Sequence, residues 1–584
     1  MKRLTLLCWA AIALVPLLPV PDFFITQVNY VGLYALVVLG LVLLTGIGGL
    51  TSFGQAAFVG IGAYVTAILT TRYGMSPWLS LPAGLVITGC SAYLIGNITL
   101  RMSGHYLPLA TIAWSIALYY LFGSVEGLGK YDGIANLPAI NVLGWELGEN
   151  RHMYWLIWAC IGLGAWALLN LLDSRPGRAI RALKGGVQMA ESMGVDTARL
   201  KILIFVIAAL FASVSGWLFA HLQRAINPTP FGLGVSLEYV IMLVVGGIGQ
   251  VWGALLGAGI VKLLQDQLQV VMPALVGTAG NYEWLVFGLI LILLLRFAPE
   301  GLWPWITRLF PARPPRAIAQ ADALPRREPL KPGEALLDVQ GVRKAFGGLV
   351  AVDNVSFHVR SGEIVGLIGP NGAGKSTTFN LVTGLLHTSK GQVLLRGQRI
   401  DGLASREIAA LGVARTFQHV KLIPNMTVLE NVALGAHLRA RVGALSATLR
   451  TDRRIEASIL QEAAQALHRV GLGEHMHTEA GSLALGQQRL LEIARALCCD
   501  PALLLLDEPA AGLRAFEKEA LARLLSTLRS DGMGILIVEH DMEFVMQLTD
   551  HIVVMVFGQK IAEGVPSAIQ THPAVLEAYL GGTE

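Results

Sequence analysis

Gly369-Pro370-Asn371-Gly372-Ala373-Gly374-Lys375-Ser376-Thr377 decides the C-terminal half of this 584-residue chain. The stretch is a complete G-x-x-x-x-G-K-[ST] loop between the apolar run Ile364–Ile368 and a helix-like segment from Thr378. Such a loop cradles phosphates because its backbone N–H groups converge at a helix N-terminus. Glycine at 369, 372 and 374 lets that backbone approach a nucleotide without a Cβ in the way. Lys375 is placed to reach the β- and γ-phosphates and Ser376 to ligate Mg²⁺. The reading is a nucleoside triphosphate site.

Moving outward, the composition is uneven. Only 14% of residues are charged and 54% are hydrophobic, against about 25% charged in soluble domains. No residue between Asp22 and Arg72 carries a formal charge, nor does any from Tyr73 to Leu100, whereas ordinary charge density resumes near Glu334. The expectation is a polytopic α-helical membrane domain over residues 1–309, a cytoplasmic linker over 310–333 and an α/β domain over 334–584. Apolar segments begin near Leu4, Val31, Phe53, Leu79, Leu107, Met153, Ile202, Ser236 and Tyr282. The first resembles a signal peptide but lacks a cleavage site, so an uncleaved helix is expected.

Lys2 and Arg3 set the N-terminus inside, as do the basic residues between Asp173 and Lys201 for their loop; Glu126, Asp132, Glu146 and Glu149 then fall outside. Three segments separate that basic loop from Arg308, an odd number. Glycine-rich Ser236–Leu264 is therefore expected to be broken or to cross twice. Glu238, Lys262 and Glu283 are placed near span edges, leaving no obvious charged substrate pair and a hydrophobic passage. The proline- and arginine-rich linker reads as extended and solvated. Cys8, Cys90, Cys160, Cys498 and Cys499 show no metal spacing. A net charge of +4 does not suggest nucleic acid.

Downstream, Leu503–Leu506 reads as a strand closing on Asp507 and Glu508. Asp507 suits Mg²⁺ and Glu508 a general base for the attacking water. Leu483, Ala484, Leu485, Gly486 and Gln487 open a helix-like segment, a surface suited to anions. In order and spacing, these elements resemble an ABC-transporter ATPase. The resemblance implies that Gln418 senses Mg²⁺ and couples to the membrane domain. It also implies that His540 contacts the γ-phosphate, that Phe346 stacks on adenine, and that residues 483–487 meet the partner ATPase's nucleotide. Two departures stand out: Ala484 replaces a common serine, and Arg514 replaces an aspartate. Both positions face the partner in the family's dimer, so the two sites of a pair are expected to be active but unequal.

A permease followed by an ATPase is the usual layout of an exporter half-transporter. The membrane half instead resembles branched-chain amino-acid importers: Gly49–Phe58 with Gly60–Tyr64, Met242–Gly249 with Trp252-Gly253, and Phe297–Leu302 carry the likeness. Gly177–Arg181 through Ala190–Gly194 resembles their coupling loop, which lies in a groove of the ATPase, and His572–Gly581 resembles their ATPase C-terminus. The implication is ATP- and Mg²⁺-dependent import across the inner membrane with the ATPase cytoplasmic. It further implies a second permease and ATP-binding subunit, as a homodimer or hetero-oligomer, and an extracytoplasmic solute-binding protein. A urea or short-amide importer, a homodimeric exporter and an ATP-gated channel remain as alternatives.

Overall fold

The computed structural model describes residues 9, 12–100, 102, 106–142, 144–276, 282–309, 318–328 and 331–580. The Lys2-Arg3 tip, Cys8, the start of the span expected from Leu4, the linker residues 310–317 and 329–330, and Gly581 lie outside them, as does the side chain of Glu283. Two compact units emerge: Met1–Leu172 with Ala198–Arg313, and Asp173–Thr197 with Pro314–Glu584.

Among the described residues of the first unit, five helices are long and apolar enough to cross a membrane: Asp22–Ile47, Pro77–Thr99, Tyr106–Ser124, Asn150–Leu172 and Thr197–Gln223. Gln55–Thr71 and Gly288–Phe297 are shorter apolar helices. The glycine-rich segment is indeed broken. Leu233–Gly246 and Val251–Gln269 bend by 118° at the break. A Cβ on Gly246 would sit 1.9 Å from the Gly253 carbonyl oxygen, and one on Gly257 would sit 1.9 Å from that of Met242. Only glycine lets the two backbones touch this way.

One expectation is corrected here. Lys262 lies inside the helix Val251–Val276 rather than at its edge. It pairs there with Asp266, Nζ to Oδ1 at 2.6 Å. Hydropathy averages over a window and so passes over a single i,i+4 pair of opposite charges.

The second unit is built on a six-stranded sheet in the order Val413–Arg415, Leu503–Asp507, Gly534–Val538, Ile364–Ile368, His551–Val556, Gln559–Gly564. All neighbours are parallel except the last pair. Its central strands are wholly buried, as their continuous apolar runs require of a parallel sheet covered on both faces. Beside it stands an antiparallel sheet of Leu349–Arg360, Ala335–Phe346, Lys390–Leu395 and Gln398–Arg399.

Residues 318–328 have no regular structure and are mostly exposed, as expected, but they are tied to this unit at several points. Leu324 is buried in the core of this unit, and Arg439 donates to the Leu324 and Pro325 carbonyls. The Arg327 guanidinium donates to the Ala409 and Ala410 carbonyls. Asp500 accepts from the Arg327 N–H at 2.6 Å. A segment without regular structure leaves its carbonyls free to accept, and arginine, with its five N–H donors, reaches them.

Candidate active site

The loop Gly369–Gly374 runs from the end of the buried strand Ile364–Ile368 to the helix Lys375–Val382. Gly369 has φ 151°, and a Cβ there would lie 2.0 Å from the Met555 carbonyl oxygen, so no larger residue fits. Gly374 precedes the helix in the left-handed region. Nothing lies within 4 Å of a Cβ placed on Gly372, which borders open space. Pro370 is half-buried, Asn371 exposed and Ala373 buried, while Ser376 and Thr377 sit on the first helical turn with Ser376 exposed. Lys375 folds back on the loop, donating to the carbonyls of Gly369 at 2.8 Å and Pro370 at 3.0 Å. Burial lowers its pKa, opposed by the charges of Glu508 and Asp507.

Three sequence-distant residues converge beside this loop. Glu508 has φ 48°, and its Oε1 accepts from Gln418 Nε2 at 3.0 Å and lies 3.0 Å from His540 Nε2. A non-glycine residue in that left-handed conformation is strained, and such strain clusters where a side chain must be aimed. Gln418 keeps its amide oxygen for another partner. Asp507 ends the strand Leu503–Asp507, with its N–H held by Thr416 Oγ1. Its Oδ1 is buried and meets no hydrogen-bond partner among the described residues. Burial raises the Asp507 pKa, and Arg415 opposes that shift. A buried carboxylate oxygen without a donor among the described residues, an exposed serine hydroxyl and a glutamine amide oxygen are oxygen donors of the kind that fit Mg²⁺.

The helix Leu485–Cys498 starts at Ala484. Lacking a side-chain oxygen, Ala484 cannot cap the helix, and only the reverse half of a capping box exists, Gln487 Oε1 accepting from the Ala484 N–H at 3.2 Å. Gly486 is buried beside Glu517, and Leu485 is exposed. Arg514 is exposed and opens the helix Ala515–Ser530. Leu483 is buried in the core of the unit. Phe346 lies half-exposed at the end of its strand, with Lys344 Nζ 5.2 Å from the ring centroid.

Sequence reasoning passed over the link between these parts. Arg489 donates to the carbonyls of Phe417 and Gln418, Glu492 accepts from the Lys421 N–H, and Arg495 donates to the Lys421 carbonyl. One helix thus carries residues 484–487 at its start and holds the Gln418 segment along its flank. The available signal was three charged residues in a helix otherwise destined for the core.

The basic loop falls within this unit too, as helices Arg175–Gly185 and Val187–Ser192. Arg178 is bidentate on Glu456, both buried. Arg181 meets Glu430 at 3.0 Å, and Asp196 meets Arg406 at 3.4 Å. Arg175 donates to the carbonyls of His437 and Val442. Burial lowers the Arg175 pKa to about 10, with Arg178 adding to the shift. Glu430 was foreseeable as the third residue of a Thr427-x-x-Glu430 capping box. Glu456 gave no local sign.

Comparisons with known proteins complete the picture. Residues 23–295 match the branched-chain amino acid transport system permease component, residues 352–511 the ABC transporter family, and residues 559–584 the branched-chain amino acid ATP-binding cassette transporter family. The high-affinity branched-chain amino acid transport ATP-binding protein LivG of Escherichia coli K12 is 46% identical over 251 residues, which are 42% of this chain and 98% of that one. The chain belongs to the branched-chain amino-acid ABC transporters. It holds a permease region and an ABC ATPase in one polypeptide.

Other ATPases of this transporter family are similar as well. BraF of Pseudomonas aeruginosa is 44% identical over 249 residues, 42% of this chain and 98% of that protein. A probable LivG of Archaeoglobus fulgidus is 37% identical over 249 residues, 43% of this chain and 96% of that protein. A crystal structure of a nucleotide-free ATP-binding cassette is 32% identical, covering 42% of this chain and 98% of that one, with a TM-score of 0.38.

Proposed function

We propose that this chain is a fused permease and ATPase subunit that imports branched-chain amino acids across the inner membrane, driven by ATP. Its working form pairs it with a second permease and ATP-binding subunit and with an extracytoplasmic solute-binding protein. The observation that carries the reading is a permease region and an ATPase that both match this one transport system. The domain limits 1–309, 310–333 and 334–584 are proposed with it, the cytoplasmic part beginning at the linker.

In the ATPase, the backbone of residues 369–377 cradles the phosphates, Lys375 takes the β- and γ-phosphates, and Phe346 offers its face to adenine. Ser376, Asp507 and Gln418 would hold Mg²⁺, which would offset the negative charge that develops on the phosphates. Glu508 is the general base, oriented from one side by Gln418 and from the other by His540. Its carboxylate takes the proton of the attacking water, and His540 contacts the γ-phosphate. Residues 483–487 serve the nucleotide held by the partner ATPase. Ala484 lacks a hydroxyl for that nucleotide, which leaves the Gly486 N–H as the donor.

Proteoliposomes of the assembled transporter test the reading by ATP-dependent uptake of labelled leucine against labelled urea. Leucine uptake that needs the binding protein is the expected result. Urea uptake in its place overturns the substrate, and uptake independent of a binding protein overturns the importer. Lys375→Ala is expected to weaken ATP binding at least about tenfold, the scale of losing a charged hydrogen bond of about 1.5–3 kcal/mol. Equilibrium binding of a fluorescent ATP analogue measures it, and unchanged affinity removes Lys375 from the site.

A further inference from the structure

A second cluster of charged and aromatic side chains lies in the permease unit. The helical hairpin at Gly247–Gln250 sets Gly246 against Gly253 and Met242 against Gly257. Glu238 precedes Tyr239 on the helix Leu233–Gly246 and, like Asp266, lies within charge range of Tyr34. Lys262 Nζ contacts Asp266 Oδ1, and the two side chains are only 14% and 16% exposed. The same Nζ stands 5.6 Å from the centroid of Tyr30. Aromatic contacts run on from there: Tyr30 to Tyr34 at 6.2 Å and Tyr34 to Tyr239 at 5.6 Å. Three helices therefore contribute, at Tyr30 and Tyr34, at Glu238 and Tyr239, and at Lys262 and Asp266.

Depth and valency both favour a ligand over a brace. Tyr30 and Tyr34 lie roughly 12–18 Å along the helix that starts at Asp22, at 1.5 Å per residue. Ionisable groups at such depth in a span are costly and mark solute pathways. Asp266 Oδ2 is shielded from solvent and has no hydrogen-bond partner among the described residues, and so is Gln27 Oε1. Gln27, Tyr30 and Tyr34 stand at i, i+3 and i+7 on one helix face. Two acceptors thus await a donor beside a cation and an aromatic wall.

We infer that Lys262, Asp266 and Glu238, walled by Tyr30, Tyr34 and Tyr239, form the permease's recognition site for the zwitterionic head of an α-amino acid. This rests on the import reading above. The substrate's carboxylate accepts from Lys262 and its ammonium donates to Asp266 and Glu238, so one ion pair becomes two and the net charge is unchanged. Its apolar side chain lies against the tyrosine rings. A solute lacking either charge leaves one of the site's ions unmatched.

The test uses the assembled transporter with its binding protein in proteoliposomes, with uptake of labelled leucine as the readout. Lys262→Gln and Asp266→Asn are each expected to lower uptake at least about tenfold, and Lys262→Arg to retain more than half. The swapped variant Lys262→Asp/Asp266→Lys restores a mere structural pair but reverses the site, and is expected to stay at least about tenfold low. Leu263→Ala, on the exposed side of the same helix, is the control and stays near the parent. Tm and co-purification with the partner subunits identify a variant that fails to fold; for such a variant the arginine variant alone decides, by the same threshold. Parent-like uptake by the glutamine and asparagine variants, or rescue by the swap, overturns the site while leaving leucine import standing. A parent transporter that carries urea and not leucine overturns the import reading and this site with it.

Discussion

Glu508→Gln is expected to bind ATP as the parent does and to hydrolyse it at least about a hundredfold more slowly. The substitution keeps the side chain's size and its place between Gln418 and His540, and it leaves the phosphate loop untouched. What it removes is the basic oxygen, and general-base catalysis contributes about 10²–10⁴ in rate. The left-handed backbone at Glu508 is unaffected, because glutamine accepts it no less readily than glutamate. Single-turnover hydrolysis by the purified full-length transporter measures the first effect and equilibrium nucleotide binding the second. Hydrolysis within a few-fold of the parent would place the base elsewhere. Loss of binding along with turnover would make Glu508 part of the nucleotide cradle instead.

Arg178→Met is expected to separate ATP turnover from transport. The Arg178–Glu456 pair is buried on both sides, and breaking such a pair by removing one partner costs about 3–5 kcal/mol because the other charge stays behind. The pair is the most deeply buried tie of helix Arg175–Gly185 to the ATPase fold, so the helix should detach or dock loosely. Leucine uptake per phosphate released is expected to fall below about a tenth of the parent value. Removing both charges together is often nearly neutral, so Arg178→Met/Glu456→Met should recover much of the ratio. A parent-like ratio in the single variant, or no recovery in the double, refutes the argument.

How much of this was legible depended on how local the determinants are. Gly369–Thr377 is a contiguous loop whose conformation needs its own glycines, so the text alone announces it. The strand ending in Asp507-Glu508 is likewise readable, because a buried parallel strand is a run of apolar letters. The break between Gly246 and Val251 showed as glycine density and as an imbalance in the number of crossings. Contacts between distant residues were another matter. Arg178 and Glu456 are 278 residues apart, and nothing in either neighbourhood requires the other. The ties of Leu324 and Arg327 were hidden in the same way, because the arginines and carbonyls that make them are far apart in sequence. Lys262 and Asp266 were legible in principle as K-x-x-x-D on a helix, and only the averaging of hydropathy hid them.

The strap at residues 318–328 changes the mechanics of the second unit. Arg175 reaches the His437 carbonyl, and two residues on Arg439 grips the strap. Asp196 meets Arg406 on the helix Ser405–Ala410, whose last carbonyls receive Arg327 of the strap. The incoming basic loop and the incoming linker are therefore pinned to the same two pieces of ATPase. The residues that lead into the ATPase are thus part of its fold as well as a tether to it, with Leu324 seated in its core.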